Sequence, residues 1–123
     1  MPRILVVDDN AEMRSALKRI LEAQGYEVDL AQDGAQAAAL QAKRRADVLV
    51  TDLFMPERDG IETIELFRAR YPAMGIIAMS GDPHLRVIND YLEVAKIAGA
   101  NLTLRKPFAA EALLQALRDL SAV

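Results

Sequence analysis

The chain has 123 residues, a net charge of −3 at pH 7 and no cysteine. This length suits a single domain with a sizeable core, and the charge argues against direct binding to nucleic acid or to a membrane. The absence of cysteine excludes disulfides and thiolate chemistry and is compatible with the cytoplasm, where we expect the protein to act. The first apolar run, residues 4–7, is too short for a signal peptide or a membrane span.

Two hydrophobic periodicities alternate along the chain. Short apolar runs predict five strands, at residues 3–7, 26–31, 48–52, 74–79 and 102–104. Apolar residues at helical spacing predict five helices, at residues 13–24, 35–43, 61 to a break at Tyr71-Pro72, 88–98 and 111–120. Asp33-Gly34 is predicted as the turn before the second helix. This alternation favours an α/β fold with a doubly wound parallel sheet and helices on both faces.

The third predicted strand ends in an acid. Residues 48–52 form an apolar, β-branched run that closes with Asp52, and a loop containing Pro56 and Gly60 follows. A buried parallel strand has this composition, and ending it in a carboxylate carries a desolvation cost. We therefore expect Asp52 to lie at the carboxyl edge of the sheet, where ligands bind in open α/β folds.

Three other predicted strands also end in polar side chains. Asp8 and Asp9 follow the first strand, Ser80 follows the fourth and Lys106 follows the fifth. If the first and third strands are neighbours, three carboxylates converge, and such a cluster needs a bound cation or a proton to offset its repulsion. Oxygen ligands favour a hard ion such as Mg²⁺. A hydroxyl and an ammonium nearby would suit the oxygens of a phosphoryl group.

Each of these residues has a simpler interpretation when it is taken alone. Asp9 and Glu12 have the spacing of a capping box at the start of the first helix. Ser80 fits a turn hydroxyl, and Lys106 fits a solvated surface cation. The combination of these residues, in this order along the predicted sheet, is more specific than its parts.

The combination resembles the receiver domain of two-component response regulators, of the chemotaxis-receiver kind. The motifs that carry the resemblance lie within residues 3–120 and are Asp8-Asp9, Asp52-Leu53-Phe54-Met55-Pro56, Asp59-Gly60, Ser80-Gly81, Gly99-Ala100 and Lys106-Pro107-Phe108. The resemblance implies a flavodoxin-like sheet of five parallel strands in the order 2-1-3-4-5, with five helices. We expect a single receiver domain over residues 1–123 and no output domain in this chain.

A phosphorelay is the function that the resemblance implies. Asp52 would accept a phosphoryl group from a phosphohistidine on a sensor histidine kinase or a histidine phosphotransfer protein. Phosphorylation would then switch contacts with a downstream protein that the sequence does not identify. The protein would be a signalling phosphoacceptor that assists its own phosphorylation and dephosphorylation, and we do not expect it to be an enzyme.

The metal implied by the resemblance is Mg²⁺, or Mn²⁺ in its place. By position, Asp9, Asp52 and the backbone carbonyl of Phe54 would bind the ion directly. Asp8 would bind it through a water molecule. Lys106 would pair with the carboxylate of Asp52 and later with the phosphate.

The remaining roles concern phosphate binding and switching. Ser80 would hydrogen-bond the phosphoryl oxygens, Gly81 would leave room for the phosphoryl group beside the backbone, and the Lys106-Pro107 peptide would be cis. The family usually has Tyr or Phe three residues before the lysine, where this chain has Thr103. We therefore expect the signal to pass through the Ser80 loop and the fourth helix, without an inward-turning aromatic ring.

Other classes of protein share part of this pattern. A haloacid-dehalogenase-type phosphatase needs an acid two residues after its nucleophile, where this chain has Phe54. A flavodoxin-like flavin binder needs a phosphate loop after the first strand, where Asp8 and Asp9 would repel phosphate. The glycine motifs of dinucleotide and P-loop sites do not occur. A receiver-like module that binds proteins without phosphorylation remains as an alternative, although it would not need the intact set of acids, hydroxyl and lysine.

Overall fold

The computed structural model describes residues 2–53, 60–81 and 85–121, with the backbone alone described for residues 85–91 and 121. Strands and helices alternate throughout these residues. The strands are β1 (Arg3–Val7), β2 (Glu27–Ala31), β3 (Val48–Asp52), β4 (Gly75–Ser80) and β5 (Leu102–Arg105). The helices are α1 (Ala11–Ala23), α2 (Gly34–Lys43), α3 (Gly60–Arg70), α4 (Leu85–Ala98) and α5 (Ala110–Ser121).

The five strands form one sheet in the order β2-β1-β3-β4-β5, and every strand pair is parallel. The prediction of a flavodoxin-like, doubly wound sheet is therefore confirmed. In the register, Val7 is opposite Thr51, so the residues that follow them, Asp8 and Asp52, emerge side by side. The connections change direction between β1 and β3, and in open α/β folds this switch point is where ligands bind.

Two hydrophobic cores cover the two faces of the sheet. On one face, Ile64 and Phe67 of α3 and Ala95 of α4 pack on the strands, and on the other Leu17 of α1 and Leu113 of α5 do so. Alternate side chains of β1 enter the two cores in turn, because successive residues of a strand point to opposite faces. Burial on both faces explains why the central strands read as continuous apolar runs.

The structure corrects several predicted boundaries. The strand predicted from residue 26 begins at Glu27, because the backbone N–H of Tyr26 instead bonds the Leu21 carbonyl at the end of α1. The strand predicted at residues 74–79 begins and ends one residue later. Asp33-Gly34 is not a separate turn, since Asp33 caps α2 and accepts the N–H of Gln36.

The capping-box interpretation of Asp9 is wrong. The N-cap of α1 is Asn10, whose side chain accepts the N–H of Met13. Asp9 therefore lies outside the helix and is exposed, which leaves its carboxylate available to the edge of the sheet. In the described ranges, no helix is both long enough and apolar enough to cross a membrane.

Candidate functional site

Three carboxylates meet at the carboxyl edge of the sheet. Asp8 and Asp9 follow β1 and Asp52 ends β3, and one oxygen from each lies within 4.8 Å of the others. Asp8 is 0% exposed and Asp52 is 6% exposed, whereas Asp9 faces solvent. The neighbouring positions of β1 and β3 thus bring together acids that lie far apart in the sequence.

Lys106 places an ammonium group against the carboxylates of this cluster. Its Nζ lies 2.8 Å from Oδ2 of Asp8 and 3.4 Å from Oδ2 of Asp52. Burial lowers the pKa of the Lys106 ammonium, but the hydrogen bond to Asp8 and the negative charges of Asp52 and Asp8 together outweigh it. The pKa therefore lies above its ordinary value of 10.5, and the lysine is charged at neutral pH.

Ser80 ends β4, one residue after the residue that pairs with Asp52 of β3. Ser80 is 0% exposed, and among the described atoms its Oγ has no hydrogen-bond partner. Its backbone carbonyl accepts the N–H of Lys106 at 2.7 Å, which ties the lysine to the same strand end. Buried hydroxyls are nearly always paired, so this one is suited to a ligand oxygen.

Two glycines keep the site compact. A Cβ on Gly81 would lie 2.4 Å from Cβ of Lys106, so the lysine stem passes directly beside this glycine. A Cβ on Gly60 would lie 2.3 Å from the backbone oxygen of Asp52. Glycine is thus required at 60 by the close approach of α3 to the end of β3.

The other predicted site residues lie as follows. The Lys106–Pro107 peptide bond is cis. Thr103 is half-buried opposite Ala78 and shares its face of the sheet, which is the face that α3 and α4 cover. Phe54, whose carbonyl we expect at the metal, lies outside the described residues.

The donor set fits a hard divalent cation. The three candidate side chains are all carboxylates, and they lie close enough together to share one ion. The ammonium of Lys106 offsets one of the three negative charges, and a divalent ion would offset the other two. The residues present therefore match Mg²⁺ in both ligand type and charge.

Two residues beside the acids were missed by the sequence analysis. The backbone N–H of Asn10 donates to Oδ1 of Asp8 at 2.9 Å, and Nη1 of Arg14 donates to the backbone carbonyl of Asp8 at 2.8 Å. Asn10 is a good helix-capping residue, and that signal was available. No sequence pattern distinguishes Arg14 from a solvated helix cation.

Known proteins resemble this chain over nearly its whole length. A family model described as the response regulator receiver domain matches residues 4–118. The chain belongs to this family. Receivers of response regulators take part in two-component signalling with histidine kinases or phosphotransfer proteins, and they generally bind Mg²⁺ at a cluster of aspartates. The receiver described here has such a cluster.

Individual relatives agree with the family assignment. The response regulator MprA of Mycobacterium sp. (strain KMS) is 40% identical over 118 residues, which cover 96% of this receiver and 50% of MprA. The receiver thus spans about half the length of the curated relatives that it matches.

Solved structures show the same fold. The chemotaxis response regulator CheY4 of Vibrio cholerae has a TM-score of 0.86 and 32% identity, over 98% of each chain. The response regulator TrrA of Thermotoga maritima, solved in complex with Mg²⁺-BeF, has a TM-score of 0.84 and 30% identity, over 98% of this receiver and 99% of TrrA.

Proposed function

We propose that this receiver accepts a phosphoryl group on Asp52 from a phosphohistidine of a sensor histidine kinase or a phosphotransfer protein. The observation that carries the proposal is the position of the Asp52 carboxylate, 3.4 Å from the Lys106 ammonium and within a cluster of three acids. A buried strand end with an acid, a cation and candidate metal ligands suits the transfer of a charged group. Phosphorylation would then alter contacts with a downstream protein, in the cytoplasm.

Mg²⁺, or Mn²⁺ in its place, is the metal that we propose for this site. Asp9 and Asp52 would bind it directly together with the backbone carbonyl of Phe54, and Asp8 would bind it through water. When bound, the ion would offset the charge on the phosphoryl oxygens. The three carboxylates within 4.8 Å of one another support this assignment.

The chemical step needs little from the protein beyond position and charge. A carboxylate oxygen of Asp52 would bond to phosphorus as the bond between phosphorus and the donor imidazole nitrogen breaks. The imidazole leaves with the electron pair. Lys106 would pair with a phosphoryl oxygen, and the hydroxyl of Ser80 would donate to another. Because a carboxylate is a modest nucleophile, alignment and charge neutralisation supply most of the rate.

Gly81, Ser80 and Thr103 complete the proposal. Gly81 would keep the stem of Lys106 beside the phosphate, since a Cβ there would collide with the lysine. Ser80 would begin the switch by moving toward the phosphate. Other members of the family use an aromatic ring at the position of Thr103, and Thr103 would not play that role. Residues 1–123 would work as a single receiver domain whose role is signalling, with catalysis limited to its own phosphorylation and dephosphorylation.

Intact mass after incubation with acetyl phosphate tests the proposal. We expect one phosphoryl group to be added to the wild type only when Mg²⁺ is present, and none to Asp52→Asn. Asp119→Asn is the matched control, because Asp119 is an exposed acid on α5. An adduct that persists in Asp52→Asn would contradict the assignment of the acceptor. Failure of the wild type both to be phosphorylated and to bind Mg²⁺ would favour a receiver-like module that acts by protein binding alone.

A further inference from the structure

All four polar groups of Asp8 are held by hydrogen bonds. Its backbone N–H donates to the Ala31 carbonyl at 3.1 Å, and its backbone carbonyl accepts Nη1 of Arg14 at 2.8 Å. Its two carboxylate oxygens accept the N–H of Asn10 and the ammonium of Lys106, at 2.9 and 2.8 Å.

The bond from Arg14 satisfies a carbonyl that the sheet leaves unpaired. The ladders that flank β1 end at Val7, opposite Ala31 on one side and Thr51 on the other. The carbonyl of Asp8 lies past the end of both ladders, so no neighbouring strand donates a hydrogen bond to it. Because the residue is 0% exposed, water cannot supply that hydrogen bond instead. A buried carbonyl needs a partner, and the Arg14 guanidinium supplies it from α1.

Arg14 is well placed for this role by its own helix. It lies one turn after the cap, where its N–H donates to the Asn10 carbonyl at 3.1 Å. It is half-buried, and no described carboxylate lies within ion-pair distance of it. The recorded contact of its guanidinium is thus with the main chain of Asp8, directly after β1.

We propose that Arg14 is a positioning residue for the metal site. By holding the Asp8 carbonyl, it fixes the main chain from which the carboxylates of Asp8 and Asp9 project toward Asp52. This inference rests on the proposed function, since it assumes that these acids bind Mg²⁺. Hydrogen bonds that orient metal ligands typically change metal affinity by tenfold or more when they are removed.

The proposal predicts whether replacing Arg14 weakens or strengthens the binding of Mg²⁺. Removing a nearby positive charge would by itself strengthen binding of a cation, whereas releasing the ligands' main chain would weaken it. We therefore expect Arg14→Met to bind Mg²⁺ about tenfold more weakly than the wild type. Arg14→Lys keeps the charge and one donor, and should recover affinity to the extent that it remakes the bond to the Asp8 carbonyl.

Titration of the labelled protein with Mg²⁺ by NMR tests this. The backbone ¹³C′ resonance of Asp8 reports the hydrogen bond, and the amide shifts of the β1–α1 loop report the affinity. Arg19→Met is the matched control, because Arg19 is an exposed arginine of the same helix whose guanidinium makes no recorded hydrogen bond. Melting curves establish that each variant is folded, and Arg14→Gln replaces Arg14→Met if the latter does not fold.

The outcomes separate this inference from the proposed function. The positioning role is supported if the affinity for Mg²⁺ changes in step with the ¹³C′ chemical shift of Asp8 across the Arg14 variants. In that case Arg19→Met should bind Mg²⁺ as the wild type does. Unchanged or tighter binding by Arg14→Met, or an affinity that does not follow the shift, overturns it while leaving the proposed function intact. A wild type that does not bind Mg²⁺ overturns both.

Discussion

Lys106 holds the candidate site together at the scale of single residues. Its ammonium contacts carboxylates from two strands, and both contacts require the charged form. Because the folded-state pKa of Lys106 lies above its unfolded value, protonation of the lysine contributes stability to the metal-free fold, and this contribution is complete once the pH is below the unfolded value. That stability is lost as the pH rises through the folded pKa.

Replacing Asp8 should therefore lower the pKa of Lys106. Asp8→Asn removes the strongest of the interactions that raise this pKa, so in the metal-free protein the lysine should lose its proton at a lower pH. NMR titration of the Lys106 side chain measures this directly, and urea unfolding at alkaline pH measures the stability. Asp119→Asn serves as the control for a lost surface charge. A titration of Lys106 identical in wild type and Asp8→Asn would show that the pair does not control its charge.

At the scale of elements, α4 is tied at one end. Arg68 of α3 donates from Nε and Nη2 to the carbonyl of Gly99, at 3.1 and 2.7 Å, and from Nη2 to Asn101 at 2.8 Å. Gly99 has a φ of +135°, and a Cβ there would lie 2.9 Å from Arg68. The end of α4 farthest from Ser80 is thereby joined to α3, so this end of the helix should move little on phosphorylation.

Phosphorylation should change the amide chemical shifts of residues 81–99. Ser80→Ala removes the hydroxyl that would move toward the phosphate, and we expect it to reduce these changes by more than half. Thr103→Val is the matched control, since it removes a hydroxyl from the next strand without affecting the proposed path. NMR spectra of the Mg²⁺-loaded protein before and after phosphorylation measure both. Unchanged shifts in residues 81–99 of the wild type would contradict the proposed route.

The elements also show what the sequence was able to predict. Periodicity located all five strands and helices, because burial on both faces of the sheet gives apolar runs of strand length between amphipathic stretches. Their ends depended on particular bonds, such as the cap at Asn10 in place of Asp9. The strand order came from the family resemblance, because periodicity does not determine which strands are neighbours.

The residues of the candidate site were predicted from the sequence, but some of their contacts were not. Acids, hydroxyl and lysine at strand ends were found, because parallel strands deliver their carboxyl ends to one edge. The contact of Arg14 with the Asp8 carbonyl was not predicted, because it depends on where the two hydrogen-bond ladders of β1 end. The close approach of the Lys106 stem to Gly81 was not predicted either, because the path of that stem is a tertiary feature.

At the scale of the whole molecule, the fold forces like charges together. The two cores fix β1 and β3 side by side, so Asp8 and Asp52 are buried next to each other whether or not a cation is present. Lys106 offsets only part of this charge. A ligand that binds the folded state alone stabilises it, and a divalent cation would do so by removing the remaining repulsion.

Mg²⁺ should therefore raise the melting temperature of the protein. At a concentration one hundred times the dissociation constant, binding contributes about 2.7 kcal/mol, which for a domain of this size corresponds to a rise of about 10 °C. Asp9→Asn should lose most of this rise, because Asp9 is a proposed direct ligand whose exposed carboxylate contributes little to packing. Glu22→Gln, which neutralises an exposed acid of α1, should retain it. Thermal unfolding with Mg²⁺ or with NaCl at equal ionic strength measures the effect. An equal rise in Asp9→Asn and wild type would mean that Mg²⁺ stabilises the fold without binding at the three aspartates.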